Sequence, residues 1–250
     1  MLPALHLSSA PPIATYFLII SLACSLGAVW FVRRASARAL ERVTAVDLTL
    51  TTMISAFLGA RLLHVVFEEA WFYQHHPLRV LQVWNGGFVF LGGAVAGILA
   101  GWLFCWWKRE PFWYWADTAV VPLAFGYGMG RIACFLNGCC YGRTCDLPWA
   151  IDLHGAHRHP TQLYASFWEF AVLGVLLVVE RRLRTSGYLF SLWLILHGAG
   201  RIVMEMFRDD PRGGPILGLS LGIWMSTALI LLGMVSALQL SIDKGLQARS

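Results

Sequence analysis

Apolar stretches of about twenty residues recur along this chain of 250 residues, and short polar segments separate them. An α-helix of that length crosses a hydrocarbon core of roughly 30 Å and satisfies its backbone hydrogen bonds internally. Hydrophobic residues make up 58% of the chain and charged residues only 13%, whereas about a quarter of a soluble domain is charged. The sequence therefore predicts an all-α, polytopic integral membrane protein.

The apolar pattern predicts about seven transmembrane helices in a single domain, residues 1–250. The third contains GGAVAGILAG (92–101), whose small residues favour close packing against another helix. The predicted spans are approximately Ile13–Val32, Val46–Phe67, Gly87–Trp107, Trp113–Leu136, Leu163–Val179, Tyr188–Phe207 and Ile216–Leu238.

Basic residues are distributed unequally between the two predicted membrane faces. Eleven follow the odd-numbered spans and five follow the even-numbered spans. The positive-inside rule then places the N-terminus outside, the C-terminus in the cytoplasm and the loop within residues 126–164 on the extracytoplasmic side. Because basic residues adjoin the apolar spans, the net charge of +5 indicates membrane orientation and not nucleic-acid binding.

The three remaining basic residues, Arg61, Arg131 and Arg201, fall within apolar spans, toward the predicted outer ends. A guanidinium inside the membrane costs about 2.5–3.5 kcal/mol, so it is normally paired or faces a polar cavity. Because the arginine fork suits phosphate oxygens, we expect the three to meet in a phospholipid headgroup site. The alternative is snorkelling or an ion pair, for which Arg201 has Glu205 four residues on.

Residues 125–167 combine four cysteines with three histidines. In an oxidising compartment, one or two disulfides that staple this loop are the favoured interpretation. A metal site and a redox or thioester role for a cysteine of low pKa near Arg131 are the alternatives. The residues concerned are Cys134, Cys139, Cys140, Cys145, His154, His157 and His159.

Five motifs occur in an order that is similar to one known family. GRIACFLNGCCYGR (130–143) resembles the signature of the bacterial phosphatidylglycerol–prolipoprotein diacylglyceryl transferases. The others are GARLLHVVFE (59–68), WNGGFVFLGG (84–93), HPTQLYA (159–165) and GRIVMEMFRDD (200–210).

This resemblance implies a membrane enzyme of lipoprotein biosynthesis. The family transfers the diacylglyceryl group of phosphatidylglycerol to the lipobox cysteine thiol of a preprolipoprotein and releases glycerol phosphate. The implied partners are phosphatidylglycerol, the preprolipoprotein signal peptide and the bilayer, with no metal or organic cofactor and no nucleic acid. The implied location is the bacterial cytoplasmic (inner) membrane, where the protein is multi-pass.

The resemblance also assigns site residues. Arg131 and Arg201 match the family's two essential arginines, and Glu205 matches a glutamate four residues after the second. The implied substrate-binding positions are Arg61, Asn137, Gly138, Gly142, His159, Gln162 and Tyr164.

Four positions differ from the family's pattern, and they are Leu91, Cys134, Cys139 and Ala165. Leu91 stands where the family has a histidine proposed as a base, and Ala165 where a glutamate is common. His64, on the same helical face as Arg61, is then a candidate to accept the thiol proton, and so is His159. Alternatively, His64 is a hydrogen-bonded structural residue, and a thiol beside two arginines ionises without a base.

The same differences keep two other functions open. One is a non-catalytic or repurposed membrane paralogue that binds a lipid or a lipoprotein. The other is a thiol–disulfide or metal-handling membrane protein that uses the cysteine loop.

Overall fold

The computed structural model describes residues 4–5, 13–183, 185–209 and 218–247. Helices dominate, with two short antiparallel strand pairs, β1–β2 and β3–β4. The strands are β1 (Ala4–Leu5), β2 (Ile13–Ala14), β3 (Ile151–Leu153) and β4 (Ala156–Arg158). The helices are α1 (Thr15–Ala37), α2 (Arg42–Leu63), α3 (Ala70–His75), α4 (Phe90–Lys108), α5 (Phe112–Asn137), α6 (Thr161–Val179), α7 (Tyr188–Glu205) and α8 (Leu221–Gln247).

Among the described residues, six helices are long and apolar enough to cross a membrane. The prediction of an all-α, polytopic membrane protein is therefore confirmed. The sixth predicted span forms α7, which is helical but is not one of the six. The total of seven spans and the orientation of the termini stay predictions. Arg184, Asp210, Arg212, Ile216 and Arg249, which those predictions and the last motif include, lie outside the described residues.

The chain divides into two compact units. We call residues 32–115 the continuous unit and residues 1–31 with 116–250 the discontinuous unit. The single domain inferred from the sequence stays a prediction.

In the continuous unit, α2 packs closely on α4 through glycine. A Cβ added to Gly59 would lie 2.6 Å from the carbonyl oxygen of Gly92. A Cβ added to Gly92 would lie 2.3 Å from the carbonyl oxygen of Gly59. Because neither backbone leaves room for a side chain, the small residues of the third span make the close packing that the sequence predicts.

In the discontinuous unit, α5, α6 and α7 share an apolar core, and a carboxylate positions α7. Asp117 of α5 accepts hydrogen bonds from the backbone N–H of Gly187 (2.7 Å) and of Phe190 (2.8 Å). A carboxylate at a helix N-terminus satisfies free N–H groups and complements the helix dipole. The buried core is formed by Val120, Val121, Ala124, Val172, Leu176 and Leu189.

Candidate active site

The Asn-Gly pair of the signature ends α5. Gly138 has φ +76°, in the left-handed region that glycine adopts without strain. Its N–H donates to the carbonyl of Phe135 (3.1 Å), and the N–H of Cys139 donates to that of Cys134 (3.2 Å). These bonds satisfy carbonyls at the helix end, as in other glycine-terminated helices. Asn137 is the exposed last residue of α5.

Three of the five motifs meet immediately after this turn. The N–H of Gly142 donates to the carbonyl of His159 (3.2 Å), and the N–H of His159 donates to that of Arg143 (3.0 Å). The N–H of Arg143 donates to the carbonyl of Phe207 (2.8 Å). A Cβ on Gly142 would lie 2.8 Å from the carbonyl oxygen of His159, which explains why glycine occupies that position.

The first turn of α6 fixes the cysteine pair. Gln162, which is 1% exposed, donates to the carbonyl of Cys139 at 2.6 Å. The hydroxyl of Thr161 donates to the carbonyl of Cys140 at 2.9 Å. The Oε1 of Gln162 is buried and has no hydrogen-bond partner within the described residues. Gln162 therefore shapes the loop, and its role in substrate binding stays a prediction.

His159 and Tyr164 form an aromatic group beside the same loop. The Tyr164 hydroxyl accepts a hydrogen bond from the indole of Trp149 (2.7 Å) and lies 3.3 Å from Nδ1 of His159. Both rings pack edge-on against Phe207, with centroid distances of 5.4 and 6.2 Å. The partners in these contacts are uncharged. The predicted role of His159 and Tyr164 in substrate binding stays a prediction.

Arg131 lies one helical turn after Tyr127 on α5, and the two side chains are paired. Nη2 of Arg131 donates to the Tyr127 hydroxyl at 2.6 Å, and the guanidinium lies 4.8 Å from the centroid of that ring. Contact with an aromatic face offsets part of the cost of burying a cation. Tyr127 therefore fixes the orientation of Arg131.

Arg201 is partly buried and incompletely paired. Its Nη2 lies 3.9 Å from Oε2 of Glu205, the limit of an ion pair, and its side chain is 17% exposed. Its Nη1 is buried and makes no hydrogen bond to any residue that the structure describes. Glu205 is oriented instead by Ser220, whose hydroxyl donates to Oε1 at 2.7 Å. The predicted pair between Arg201 and Glu205 therefore exists only as a long contact.

A small cavity lies against Arg201, between α5, α6 and α7. Tyr127, which accepts the hydrogen bond from Arg131, lines this cavity from α5. Arg201 therefore lines the cavity directly, and Arg131 adjoins it through Tyr127. It is lined by Tyr127, Ala165, Trp168, Glu169, His197, Gly200, Arg201 and Met204.

A buried carboxylate and an imidazole complete the cavity wall. Glu169 is 1% exposed, and its Oε2 accepts a hydrogen bond at 2.8 Å from Nδ1 of His197. Its Oε1 accepts a second bond at 2.7 Å from the indole of Trp193. The His197 ring stands edge-on against Tyr127, with centroids 4.5 Å apart. The contacts thus run without a break from Glu169 through His197 and Tyr127 to Arg131.

In the continuous unit, Arg61 donates hydrogen bonds to backbone carbonyls, and its guanidinium also lies near the rings of Tyr73 and Phe88, 5.3 and 5.8 Å from their centroids. Its Nε donates to the carbonyl of Val80 (3.2 Å), Nη1 to those of Gly86 and Gly87, and Nη2 to those of Arg79 (3.0 Å) and Gln82 (3.4 Å). All five donors of the guanidinium are used. Arg61 therefore organises residues 79–87, and its predicted part in a headgroup site is untested.

His64 opens a π-helical turn, His64–Glu68, after α2. Its Nδ1 lies 2.7 Å from Oε2 of Glu68, and a Cβ on Gly87 would lie 2.4 Å from its Nε2. A carboxylate that accepts from Nδ1–H leaves Nε2 as the acceptor nitrogen. An acceptor Nε2 is what the predicted base requires, and the role of His64 as the base stays a prediction.

The disulfide staple expected for the loop is wrong, because all six cysteines are free. Instead, the sulfur atoms of Cys134, Cys139 and Cys140 lie within 4.8 Å of one another. Hydrogen bonds from Cys134 and Cys139, and then the charges of Arg208 and Arg131, lower the pKa of the Cys140 thiol well below its usual range. Cys145 is outside this cluster, and its N–H pairs with the carbonyl of His157 (3.0 Å).

Comparison with known proteins identifies relatives of this chain. Residues 3–239 match the family described as prolipoprotein diacylglyceryl transferase. A protein of Geobacter sulfurreducens named phosphatidylglycerol–prolipoprotein diacylglyceryl transferase is 36% identical over 228 residues, which cover 88% of each chain. Proteins of the same name from Desulfotalea psychrophila (38% over 200 residues, 75% of this chain and 74% of that protein) and Clostridium tetani (30% over 226 residues, 88% and 90%) are also similar.

The chain belongs to the prolipoprotein diacylglyceryl transferase family. The resemblance stated from the motifs is thereby confirmed, and with it the assignment to an enzyme family of transferases. Sequence reasoning within this family missed Tyr127, Glu169 and His197 as parts of the cavity. Glu169 and His197 carried a usable signal, because an ionisable side chain inside an apolar span is a functional candidate by default.

Proposed function

We propose that this chain, as a prolipoprotein diacylglyceryl transferase, transfers the diacylglyceryl group of phosphatidylglycerol to the lipobox cysteine of a prolipoprotein. Family membership over residues 3–239 supports the reaction. The single structural observation that carries the proposal is the cavity that Arg201 lines together with Tyr127, the hydrogen-bond partner of Arg131. The Nη1 of Arg201 is buried there, and the described residues leave it unbonded. An unpaired buried donor is costly, and a phosphate oxygen would satisfy it.

The reaction replaces one bond with another. The sulfur of the lipobox cysteine forms a bond to the glyceryl carbon that carries the phosphate ester. The bond from that carbon to the ester oxygen breaks, and glycerol phosphate leaves with the electron pair. The thiol proton passes to a base. No electron transfer occurs, so the chemistry requires only charge stabilisation, orientation and proton transfer.

Arg131 and Arg201 stabilise the leaving phosphate. Negative charge increases on its oxygens as the bond breaks, and fixed donors in a site with little water stabilise such charge strongly. Tyr127 orients Arg131, and the Glu169–His197 pair orients Tyr127. Glu205, held by Ser220, limits how Arg201 rotates.

The proton acceptor that we propose is His64, with Glu68 as its orienting carboxylate. We propose that the substrates bind at the end of α5, in the loop that follows it and at the start of α6. The residues concerned are Asn137, Gly138, Gly142, His159, Gln162 and Tyr164. We further place the protein in the bacterial inner membrane, where phosphatidylglycerol and the signal peptide of a prolipoprotein both reach it from the bilayer.

The test is incubation of the purified full-length protein with phosphatidylglycerol and a lipobox peptide. We expect release of glycerol phosphate together with a peptide whose mass has increased by one diacylglyceryl group. The Arg131→Ala variant serves as the matched negative control, and the Geobacter sulfurreducens relative as the positive control. A protein that binds phosphatidylglycerol but yields no product while the relative is active would instead be a non-catalytic lipid-binding member.

A further inference from the structure

Three thiols converge at the end of α5 and have no part in the proposed transfer. The sulfur atoms of Cys134, Cys139 and Cys140 all lie within 4.8 Å of one another. Each of the three cysteines is partly buried. Within the described residues they are the only group of three or more histidine, cysteine or acidic side chains close enough together to hold one ion.

The backbone of this cluster is held in place from outside. Gln162 and Thr161 donate to the carbonyls of Cys139 and Cys140 at 2.6 and 2.9 Å. His154 is hydrogen-bonded through Nε2 to the carbonyl of Gly138 at 3.0 Å. Supporting contacts of this kind orient ligands before an ion arrives. The thiols are therefore presented by a fixed loop.

The conformation of Cys140 explains how two adjacent residues contribute to one cluster. In an extended chain, successive side chains point to opposite sides. Cys140 has φ +63°, in the left-handed region that a cysteine rarely adopts. This turn brings its sulfur to the same place as those of Cys139 and Cys134.

The spacing suits one metal ion. A metal–sulfur bond of about 2.3 Å places three thiolate sulfurs about 3.8 Å apart in tetrahedral and about 4.0 Å apart in trigonal coordination. The sulfur atoms, which lie within 4.8 Å of one another, therefore need to move by less than about 1 Å to reach these coordination distances. A disulfide would join only two of the three sulfur atoms, whereas one metal ion can bind all three.

We propose that Cys134, Cys139 and Cys140 form a binding site for one thiophilic metal ion, with Cu(I) preferred over Zn(II). Thiolates select soft ions such as Cu(I) and Zn(II). Three thiolates around Cu(I) carry a charge of −2, which the neighbouring positive charges of Arg131 and Arg208 balance. Zn(II) normally takes a fourth ligand. Binding releases the protons of those thiols that are still protonated to solvent, and no oxidation or reduction takes place.

The test is an anaerobic titration of the reduced, metal-free, full-length protein with Cu(I) against a Cu(I)-chelating indicator. A parallel titration uses Zn(II). We expect one tightly bound Cu(I) per chain, with three sulfur neighbours by X-ray absorption. Loss of an outer-shell partner alone weakens metal binding by about 10- to 100-fold, so Cys134→Ser, Cys139→Ser and Cys140→Ser should each weaken it at least as much.

Cys145→Ser is the matched control, because Cys145 lies in the same loop but outside the cluster. It should bind as the unsubstituted protein does. A measurement that needs no variant is alkylation followed by mass spectrometry, in which Cu(I) should protect Cys134, Cys139 and Cys140 but leave Cys145 reactive. Equal protection of all four thiols, or two of the three found in a disulfide after thiol trapping in intact cells, would overturn the site. Binding of Zn(II) alone would overturn the assignment to Cu(I).

Discussion

Arg61 in the continuous unit and Arg201 in the discontinuous unit are alike in the sequence. Each is a guanidinium within an apolar span, and each was expected at a phospholipid headgroup. In the structure their hydrogen bonds differ completely. Arg61 is 6% exposed and gives all its donors to five backbone carbonyls. Arg201 has only a 3.9 Å contact to Glu205 and a buried Nη1 without a hydrogen-bond partner in the described parts of the chain.

The comparison shows that burial of an arginine does not define its function. Removing a guanidinium from water is costly wherever it occurs, and the question is which groups compensate that cost. For Arg61 the compensation by hydrogen bonds is internal and complete, so we expect it to act mainly on the fold. For Arg201 it is incomplete, which leaves a donor for an anionic ligand.

The largest effect is expected at Arg131 and Arg201. Arg131→Ala and Arg201→Ala should each lower kcat about 10²- to 10³-fold, because a charge-stabilising donor is lost from the transition state. Lysine at either position should restore only part of the rate, because it lacks the planar fork. Initial rates of glycerol phosphate release measure this. Arg33→Ala, an exposed arginine of α1, is the control and should keep the normal rate.

His64→Ala is expected to lower the rate about 100-fold, near the lower end of the contribution of a general base. Added imidazole should restore part of it, because a small base can enter the space of the missing ring. Glu68→Gln should lower the rate less, since it removes only the orienting charge. A His64→Ala variant of normal rate would exclude the base and leave His64 a structural residue.

The next largest effect on the rate is expected at Glu169, the buried carboxylate of the cavity. Glu169→Gln replaces one acceptor oxygen by an amide group, and a hydrogen bond to a charged group contributes about 1.5–3 kcal/mol. If the misalignment reaches Arg131, kcat should fall about 10- to 100-fold with little change in KM. Glu169→Gln combined with Ala165→Glu should recover activity, because both positions line the cavity one turn apart. A normal kcat in Glu169→Gln would show that Glu169 does not help to orient Arg131 for the reaction.

Arg61→Ala should act on stability and not on chemistry. Its loss leaves five carbonyls of residues 79–87 without their donor, which we expect to cost about 1–3 kcal/mol. Thermal unfolding and limited proteolysis within residues 79–87 measure the effect. The rate per folded molecule should stay within a few-fold of normal. A large fall in that rate with an unchanged Tm would show that Arg61 acts on the substrate after all.

The smallest effect is expected at the end of α5. Gly138→Ala places a side chain at φ +76°, which costs about 1–2 kcal/mol for an L-residue. Gly174→Ala is the matched control, because Gly174 lies inside α6 and a Cβ there meets no atom within 4 Å. That substitution should raise stability slightly. Thermal unfolding of the two variants should therefore change in opposite directions.

The sequence predicts the helical membrane fold because apolar length and the hydrogen-bond requirement of the bilayer leave few alternatives. Arg131 and Arg201 are predicted as a pair because their motifs match the family. The role of Gln162 in holding Cys139 was not predictable, because it depends on how two loops meet in space. Similarly, the thiol cluster depends on the left-handed backbone conformation of Cys140, and the amino-acid sequence alone does not predict that conformation.

The pairing of Glu169 with His197 is an intermediate case. Both residues are visible as ionisable groups in apolar spans, but their 2.8 Å contact joins α6 and α7 across 28 positions of sequence. The sequence therefore does not identify His197 as the partner of Glu169. The cavity also shows that the absence of a glutamate at Ala165 does not leave that wall without a carboxylate.

We expect Arg131 and Arg201, and not Arg61, to act on the phosphate of phosphatidylglycerol. The most direct measurement is the rate of glycerol phosphate release per folded molecule, compared between Arg201→Ala and Arg61→Ala under the same conditions. We predict a fall of about 10²-fold or more for Arg201→Ala and at most a few-fold change for Arg61→Ala. Equal losses in both variants, or a normal rate in Arg201→Ala, would contradict the account.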